Sequence, residues 1–488
     1  MSFSPFEVFG LKGKYKILHL TWIAFFISFL VWFNQAPLLV LIQQELGISN
    51  AQVETLLLLN VALTIPARVI IGLVVDRFGA RISYSVLLAV CSLPCFLFAL
   101  ADDFATLAWS RFLLGFIGAG FVVGVRIIGD WFPSHQIGTA EGVYAGWGNF
   151  GSAVAALLLP AVALYFGGWR HAVALTGLLA LFYAAVYYRH VEDFPPGRAG
   201  LKSKQAATME VSSIHDLFLY MLSLVPLYAS LSLLTWTLSS LNPMLSPAWA
   251  LTLHALIWNV FFVHAYRLVT SNSERLSQPI PGIQQYRYRQ VFILAVAYCI
   301  TFGSKLAVLS MLPLFFFNTF NDSQGLSMLN AGMLASSFVI TNIVARPAGG
   351  WFSDRIGRRR SLALFSGGLA IGYGLMAMIS PQWSLTLTVL VTLICSIFMQ
   401  AAEGAIFAFV PLVRKAITGE VAGIVGAYGN AGAIVFLIAF TLLDPSRFFL
   451  MLALCCLVLL ALVYWLDEPR NFITEIMPDG SSVKIELD

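Results

Sequence analysis

Long apolar runs separated by short polar connections dominate the chain. They lie at about 17–42, 52–75, 82–100, 104–129, 139–166, 171–189, 215–240, 246–268, 290–317, 326–352, 361–380, 384–412, 418–443 and 446–466. A helix needs about 20 apolar residues to cross the hydrocarbon core of a bilayer, and these runs are of that order. Closed barrels are the other architecture that satisfies the backbone inside lipid. Their strands alternate apolar and polar positions every second residue, and these runs do not. The pattern predicts an all-α integral membrane protein with about fourteen transmembrane helices. The first run follows MSFSPFEVFGLKGKYK without an A-x-A-like cleavage site, so it reads as a retained span.

Basic residues gather in alternate connections. Lys12, Lys14 and Lys16 precede the first run; Arg77 and Arg81, Arg198, Lys202 and Lys204, Arg287 and Arg289, Arg355 and Arg358, and Arg414 and Lys415 fall in later connections of the same parity. The opposite connections carry Asp102, Asp103, Arg170, Asp322, Asp444 and Arg447. Lysine and arginine mark the cytoplasmic side, so both termini are expected there, consistent with an even number of spans in a cytoplasmic (inner) membrane.

Composition narrows the function classes. Hydrophobic residues make up 59% of the 488 and charged residues only 11%, against about 25% charged in a soluble domain. A disordered chain, a nucleic-acid binder and an ordinary soluble enzyme are excluded. The net charge of +4 is accounted for by basic loops and suggests no polyanionic partner. All six cysteines fall inside apolar runs and read as small core residues. There is no His/Asp/Glu cluster with metal-ligand spacing, no G-x-S-x-G and no P-loop lysine, so no catalytic residue, metal or cofactor is expected, and no enzyme activity.

The chain repeats itself. Arg68, Gly72, Asp76, Arg77, Gly79 and Arg81 recur as Arg346, Gly350, Asp354, Arg355, Gly357 and Arg359 at an offset of 278 (346 − 68). The strings AGWGNFG at 145–151 and GAYGNAG at 426–432 form a second pair. Two halves of six spans leave two spans between them. The expected organisation is a first six-helix half at 1–200, a central two-span insert with cytoplasmic loops at 201–285, a second half at 286–470 and a cytoplasmic tail at 471–488. Parallel halves related by an axis along the membrane normal place a substrate site between them at the midplane.

G-x-x-x-D-R-x-G-x-R after a second span resembles the loop signature of the major facilitator superfamily. Both glycine–asparagine strings resemble the paired signatures of its nitrate/nitrite porter (NarK-type) family. The resemblance covers about 400 residues. It implies the major facilitator fold, working as a monomer in the lipid bilayer, with nitrate or nitrite as the substrate. It implies that Arg68 and Arg346 bind the anion, one from each half, that Phe121, Tyr298 and Phe302 pack around it, and that Asn149 and Asn430 are the signature asparagines. It further implies that the loops of Gly72, Asp76, Arg77, Gly79 and Arg81, and of Gly350, Asp354, Arg355 and Gly357, latch the halves on the cytoplasmic side in one access state. The chain departs from the NarK-type pattern in its extra central spans and in Lys305.

The residues support the same reading independently. Arg68 and Arg346 each lie eight residues before the loop aspartate, about 12 Å along a helix. Half the hydrocarbon thickness is about 15 Å, which puts both near the midplane. A charge there faces a cavity or a partner. Neither helix carries an acid at that depth. The partner is then an anion, backbone carbonyls, or an acid on another span. A guanidinium fork suits a planar oxyanion, and aromatic faces would enclose it. Arg126 and Asp130 are spaced for an i,i+4 pair. Glu141, Glu403 and Lys305 are the candidate coupling groups. Two arginines about 8 Å apart repel by about 2 kcal/mol at an effective dielectric near 20. A bound anion relieves this, which favours nitrate/nitrite exchange. Proton-coupled nitrate symport, and a carrier for another small anion such as a carboxylate, remain the alternatives.

Overall fold

Inside lipid each backbone donor needs a partner within its own segment, so the apolar runs are realised as helices. The computed structural model describes residues 10–196, 209–241, 244–277, 280, 285–468, 472–476 and 482–486. The helices in chain order are α1 (Gly13–Trp32), α2 (Leu39–Leu46), α3 (Asn50–Ala62), α4 (Thr64–Phe78), α5 (Ala80–Ala99), α6 (Phe104–Leu114), α7 (Gly120–Trp131), α8 (Ile137–Tyr165) and α9 (Trp169–His190). There follow α10 (Ile214–Trp236), α11 (Pro247–Leu276), α12 (Tyr288–Gln324), α13 (Met328–Ile340), α14 (Asn342–Ile356), α15 (Arg358–Met376), α16 (Leu385–Val413), α17 (Thr418–Leu442) and α18 (Pro445–Val463).

Local chemistry sets many of the starts. Ser49, Asp103, Ser213, Ser246, Ser327, Ser384 and Asp444 each accept the backbone N–H three residues on, satisfying a donor that the first turn leaves free. Gly79 and Gly357 separate α4 from α5 and α14 from α15 with φ of 85° and 102°. That backbone region is open to glycine and strained for other residues, which explains why both copies of the loop motif carry glycine there.

Among the described residues, twelve helical stretches are long and apolar enough to cross a membrane. Sequence alone suggested about fourteen. The helices outside the twelve are α13, α14 and α15. The first two are 13 and 15 residues long, divided at Thr341, and the third opens on three arginines.

Packing brings distant parts of the chain together. α8 lies against both α1 and α14, α4 against α17, α12 along α17, and α16 against α14, α15 and α8. The outer faces stay apolar. Val86, Val90, Leu93 and Leu97 form an exposed stripe on α5, and Leu450, Leu454, Leu457 and Val458 another on α18, as expected where lipid is the solvent. Cys91, Cys95, Cys395 and Cys456 are buried, Cys299 and Cys455 half-buried, and all six are free thiols. The tail adds an element that the hydropathy pattern does not predict: β1 (Phe472–Ile476) pairs antiparallel with β2 (Ser482–Glu486), Thr474 opposite Lys484.

Candidate functional site

Arg68 from α4 and Arg346 from α14 are 1% and 0% exposed. Both converge on one aromatic ring: each guanidinium carbon lies 5.5 Å from the Phe121 centroid. Phe121 comes from α7. It stacks with Tyr298 of α12 (6.2 Å between centroids, 10° between planes), which stacks in turn on Phe302 (5.0 Å, 22°). Arg68 also lies 5.5 Å from Phe302. Five residues singled out in the sequence, spread over 278 positions (346 − 68), therefore share one buried cluster.

Each arginine is held differently. Arg68 Nη1 donates to the Gly426 carbonyl at 2.5 Å and Nε to the Gly118 carbonyl at 3.3 Å. With its amide turned so that oxygen meets donors, Asn430 Oδ1 accepts from Arg68 Nη1 and Nε at 3.2 and 3.3 Å. The signature asparagine of α17 thus orients an arginine of α4. Asn149, its partner in the repeat, is buried on α8; among the described residues it makes no hydrogen bond to either arginine. The two signature strings are not equivalent in their contacts.

Arg346 Nη1 meets Glu403 Oε2 of α16 at 2.5 Å. Lys305 Nζ of α12 reaches the same oxygen at 3.2 Å. Sequence reading left open whether the arginines face an anion, carbonyls or an acid from another span. Arg68 has the carbonyls and Arg346 has the acid. One carboxylate shared by two cations leaves the cluster positive once Arg68 is included. Among the described residues Arg346 Nε and Nη2 make no hydrogen bond, and the side-on fork of this guanidinium, beside the Tyr298 ring, has the shape to receive two oxygens of a planar anion.

Other groups at this level were missed or undervalued by sequence. Phe407 lies one turn beyond Glu403. Its ring is edge-on to Phe121 at 4.5 Å and to Tyr298 at 4.8 Å, and it lies 5.9 Å from Arg346. Tyr144 stacks on Phe121 itself (6.0 Å, 13°) and donates to the Phe121 carbonyl at 3.1 Å. Asn342, one turn before Arg346, is buried, and among the described residues neither of its polar side-chain atoms is hydrogen-bonded. The signal for Phe407 and Asn342 was their four-residue spacing from a charged residue on an apolar helix. Glu141 of α8 is 1% exposed, and among the described residues neither of its carboxylate oxygens has a hydrogen-bond partner.

The loop motifs lie apart from this cluster, at one end of the bundle. Asp76 accepts from Gly419 N and Glu420 N at 3.0 and 2.9 Å, and Asp354 from Gly138 N and Thr139 N at 2.9 and 2.7 Å. Each aspartate therefore caps the first turn of a helix in the other copy of the repeat, where the helix dipole favours negative charge. The cations that pair with them are Arg126 (3.1 Å to Asp76) and Arg358 (2.5 Å to Asp354), whereas Arg77 and Arg355 are exposed and lie over Phe78 and Trp351. Arg126 also meets Asp130 at 3.3 Å, as its spacing predicts. Arg81 ties its loop to α9, donating from Nε to the Tyr188 carbonyl at 2.6 Å. Close approach needs the glycines: a Cβ on Gly72 would strike the Gly419 carbonyl, and one on Gly350 the Gly138 carbonyl.

The chain resembles known proteins in sequence and in fold. The model of the Major Facilitator Superfamily matches residues 21–437 and 294–474. The chain is 41% identical over 471 residues to the nitrate/nitrite transporter NrtP of Picosynechococcus, covering 90% of this chain and 87% of that protein. It is 27% identical to high affinity nitrate transporter 2.5 of Arabidopsis thaliana, covering 88% and 75%. In fold it matches the crystal structure of the human organic anion transporter MFSD10 with a TM-score of 0.62 at 13% identity, covering 93% of this chain and 100% of that one.

Proposed function

The chain belongs to the major facilitator superfamily and to its nitrate/nitrite porters, and on that premise we propose that it carries nitrate and nitrite across the cytoplasmic membrane by alternating access, with the anion held between Arg68 and Arg346. It is a multi-pass membrane transporter and not an enzyme. The observation that carries the site is the convergence of two arginines, equivalent in the repeat, on one ring, with the Nε–Nη2 fork of Arg346 unfilled.

The two arginines then differ in role. Arg68, fixed by two carbonyls and Asn430, is a pre-oriented charge. Arg346 supplies the bidentate grip. Phe121, Tyr298, Phe302 and Phe407 close around the flat solute and exclude water, which strengthens the electrostatic attraction. Two six-helix halves, at 1–200 and 286–470, rock about this point, with the segment 201–285 inserted between them and 471–488 as a tail. Counting α13 with α14, and α15, as spans gives fourteen, with both termini cytoplasmic by the distribution of basic loops. The capped Asp76 and Asp354 loops support closure on that side in the conformation described, with a monomer as the working unit.

Nitrate/nitrite exchange follows if the unloaded site is too positive to occlude. The shared Glu403 lowers that charge without cancelling it. Labelled nitrate uptake into proteoliposomes tests the assignment. Wild type accumulates label, competed by nitrite more strongly than by small carboxylates. Arg68→Lys and Arg346→Lys keep the charge and lose the fork, and are expected to lose uptake at normal expression. Full uptake by both variants would overturn the arginine assignment.

A further inference from the structure

Asn342 is a buried amide to which the site described above gives no role. It opens α14 and is 2% exposed, and among the described residues neither Oδ1 nor Nδ2 makes a hydrogen bond. An amide taken out of water without a partner is unfavourable, and the polar groups beside it are engaged with one another. Thr341 Oγ1 meets the Phe338 carbonyl at 2.9 Å and Ser396 Oγ at 2.7 Å. Gln400 Nε2 donates to Thr341 Oγ1 at 2.6 Å and to Ser396 Oγ at 2.8 Å. The repeat sharpens the contrast. Thr64 holds the equivalent position in the first half (342 − 64 = 278) and likewise opens its helix, α4. Its hydroxyl donates to the Gly115 carbonyl at 2.6 Å. Where the first half has a satisfied hydroxyl, the second has an unsatisfied amide.

Asn342 lies four residues before Arg346, so the two share a helix face, about 6 Å apart along the axis. Side chains on a helix lean toward its N-terminus, and the long Arg346 side chain therefore leans toward the turn that Asn342 begins. Among the described residues the Nε–Nη2 fork of that guanidinium makes no hydrogen bond either. α14 starts at Asn342, so the positive end of its helix dipole lies there too. Two buried sets of unfilled donors, one turn apart on one face, call for a ligand that only accepts.

We propose that Asn342 Nδ2 donates to the third oxygen of a bound nitrate while the Arg346 fork takes the other two, and that this contact selects nitrate over nitrite. The inference rests on the nitrate-carrier reading and adds to it the group that tells the two substrates apart. Nitrate and nitrite carry the same charge, are both planar, and can each fill a guanidinium fork with two oxygens. Charge attracts both and an aromatic ring covers both, so neither the arginines nor the rings distinguish them well. The anions differ in one atom, since nitrite has no third oxygen. With nitrite in the fork, the Asn342 amide stays buried and unpartnered. A site built to hydrogen-bond one substrate group discriminates against the analogue that lacks it, because the buried partner is left unpaired. Asn430 is unsuited to that task, because its oxygen is committed to Arg68.

The test is titration of the purified full-length protein with nitrate and, separately, with nitrite by calorimetry. Wild type is expected to bind nitrate more tightly than nitrite. Asn342→Ala should weaken nitrate about tenfold, the worth of one hydrogen bond to a charged group, and nitrite by no more than about twofold. Asn342→Leu keeps the side-chain volume without a donor and should show the same split. In proteoliposomes, nitrite should become a better competitor of labelled nitrate uptake in either variant by the same ratio. Equal losses for the two anions, or no loss for either, overturn the inference and leave the carrier standing. A wild type that binds neither anion overturns the carrier reading instead. Should both variants fail to fold, the wild-type ratio decides: nitrite bound as tightly as nitrate overturns the inference.

Discussion

At the scale of single residues, charge on an apolar helix was the most readable signal, and its partners were the least. Arg68 and Arg346 stand out in sequence because a cation near the bilayer midplane is costly without company. What keeps each company comes from other helices, 57 positions on for Arg346 and Glu403. Gly426, which accepts from Arg68, is 358 positions on. The repeat made the two signature asparagines look alike, but only Asn430 meets an arginine. This asymmetry makes a prediction. Asn430→Ala removes the one side-chain oxygen that accepts two hydrogen bonds from Arg68 and should weaken nitrate binding about tenfold, the worth of one charged hydrogen bond. Asn149→Ala should have a smaller effect. Equal losses, measured as nitrate Kd by calorimetry, would contradict the assigned roles. Glu403 makes a sharper case. Glu403→Gln leaves Arg346 and Lys305 buried with no carboxylate between them, a loss of about 3–5 kcal/mol when one partner of a buried pair is removed. The variant should show a clearly lowered Tm in detergent, partly restored by nitrate because the anion replaces the missing charge.

At the scale of elements, the apolar runs gave helix positions to within a few residues at most ends, since lipid leaves a spanning backbone no other choice, while α11 and α12 run on to Leu276 and Gln324, past the expected ends at 268 and 317. The breaks at Thr341 and near Gly115–Ala119, where α6 passes through a short 3-10 turn into α7, do not interrupt hydrophobicity and so were invisible. The loop motifs were legible as a repeated string, but their work is done on the first turns of α8 and α17, which carry no matching signal. Asp354 takes three hydrogen bonds from Gly138 and Thr139. Replacing it with alanine removes a cap and a charge at a helix start, about 1–2 kcal/mol. That is enough to shift a two-state equilibrium about tenfold away from closure. Ala140, next to these donors, is buried. In a background without the six native cysteines, Ala140→Cys should be labelled by a polar maleimide several-fold faster when Asp354 is alanine. Unchanged labelling would mean that the aspartate caps do not hold this end shut.

At the scale of the whole molecule, the two-span insert is attached unequally. The chain pattern places it between the halves, and nothing in its composition says which half it joins. In the structure α10 lies against α12 and α17. Tyr428 of α17 donates to the Ser223 carbonyl at 2.6 Å, Ser223 Oγ meets the Tyr288 hydroxyl at 2.6 Å, and Asp216 Oδ1 accepts from Tyr288 N at 2.8 Å. Below them Glu210 pairs with Arg275 and, at 3.3 Å, with Arg414. All of these ties run within the insert or to the second half. Among the described residues, the first half meets the insert mainly where α10 lies against α3. Elements joined by several buried hydrogen bonds move together, whereas a small apolar contact yields. The insert should therefore travel with the second half during alternating access. Spin labels at Leu222 on α10 and Leu450 on α18, both exposed, should keep one distance distribution with and without nitrate. Labels at Leu222 and at exposed Val90 on α5 should shift by several ångströms on the same addition. If the first pair shifts and the second does not, the insert belongs mechanically to the other half, and Tyr428 and Asp216 are contacts of one state only.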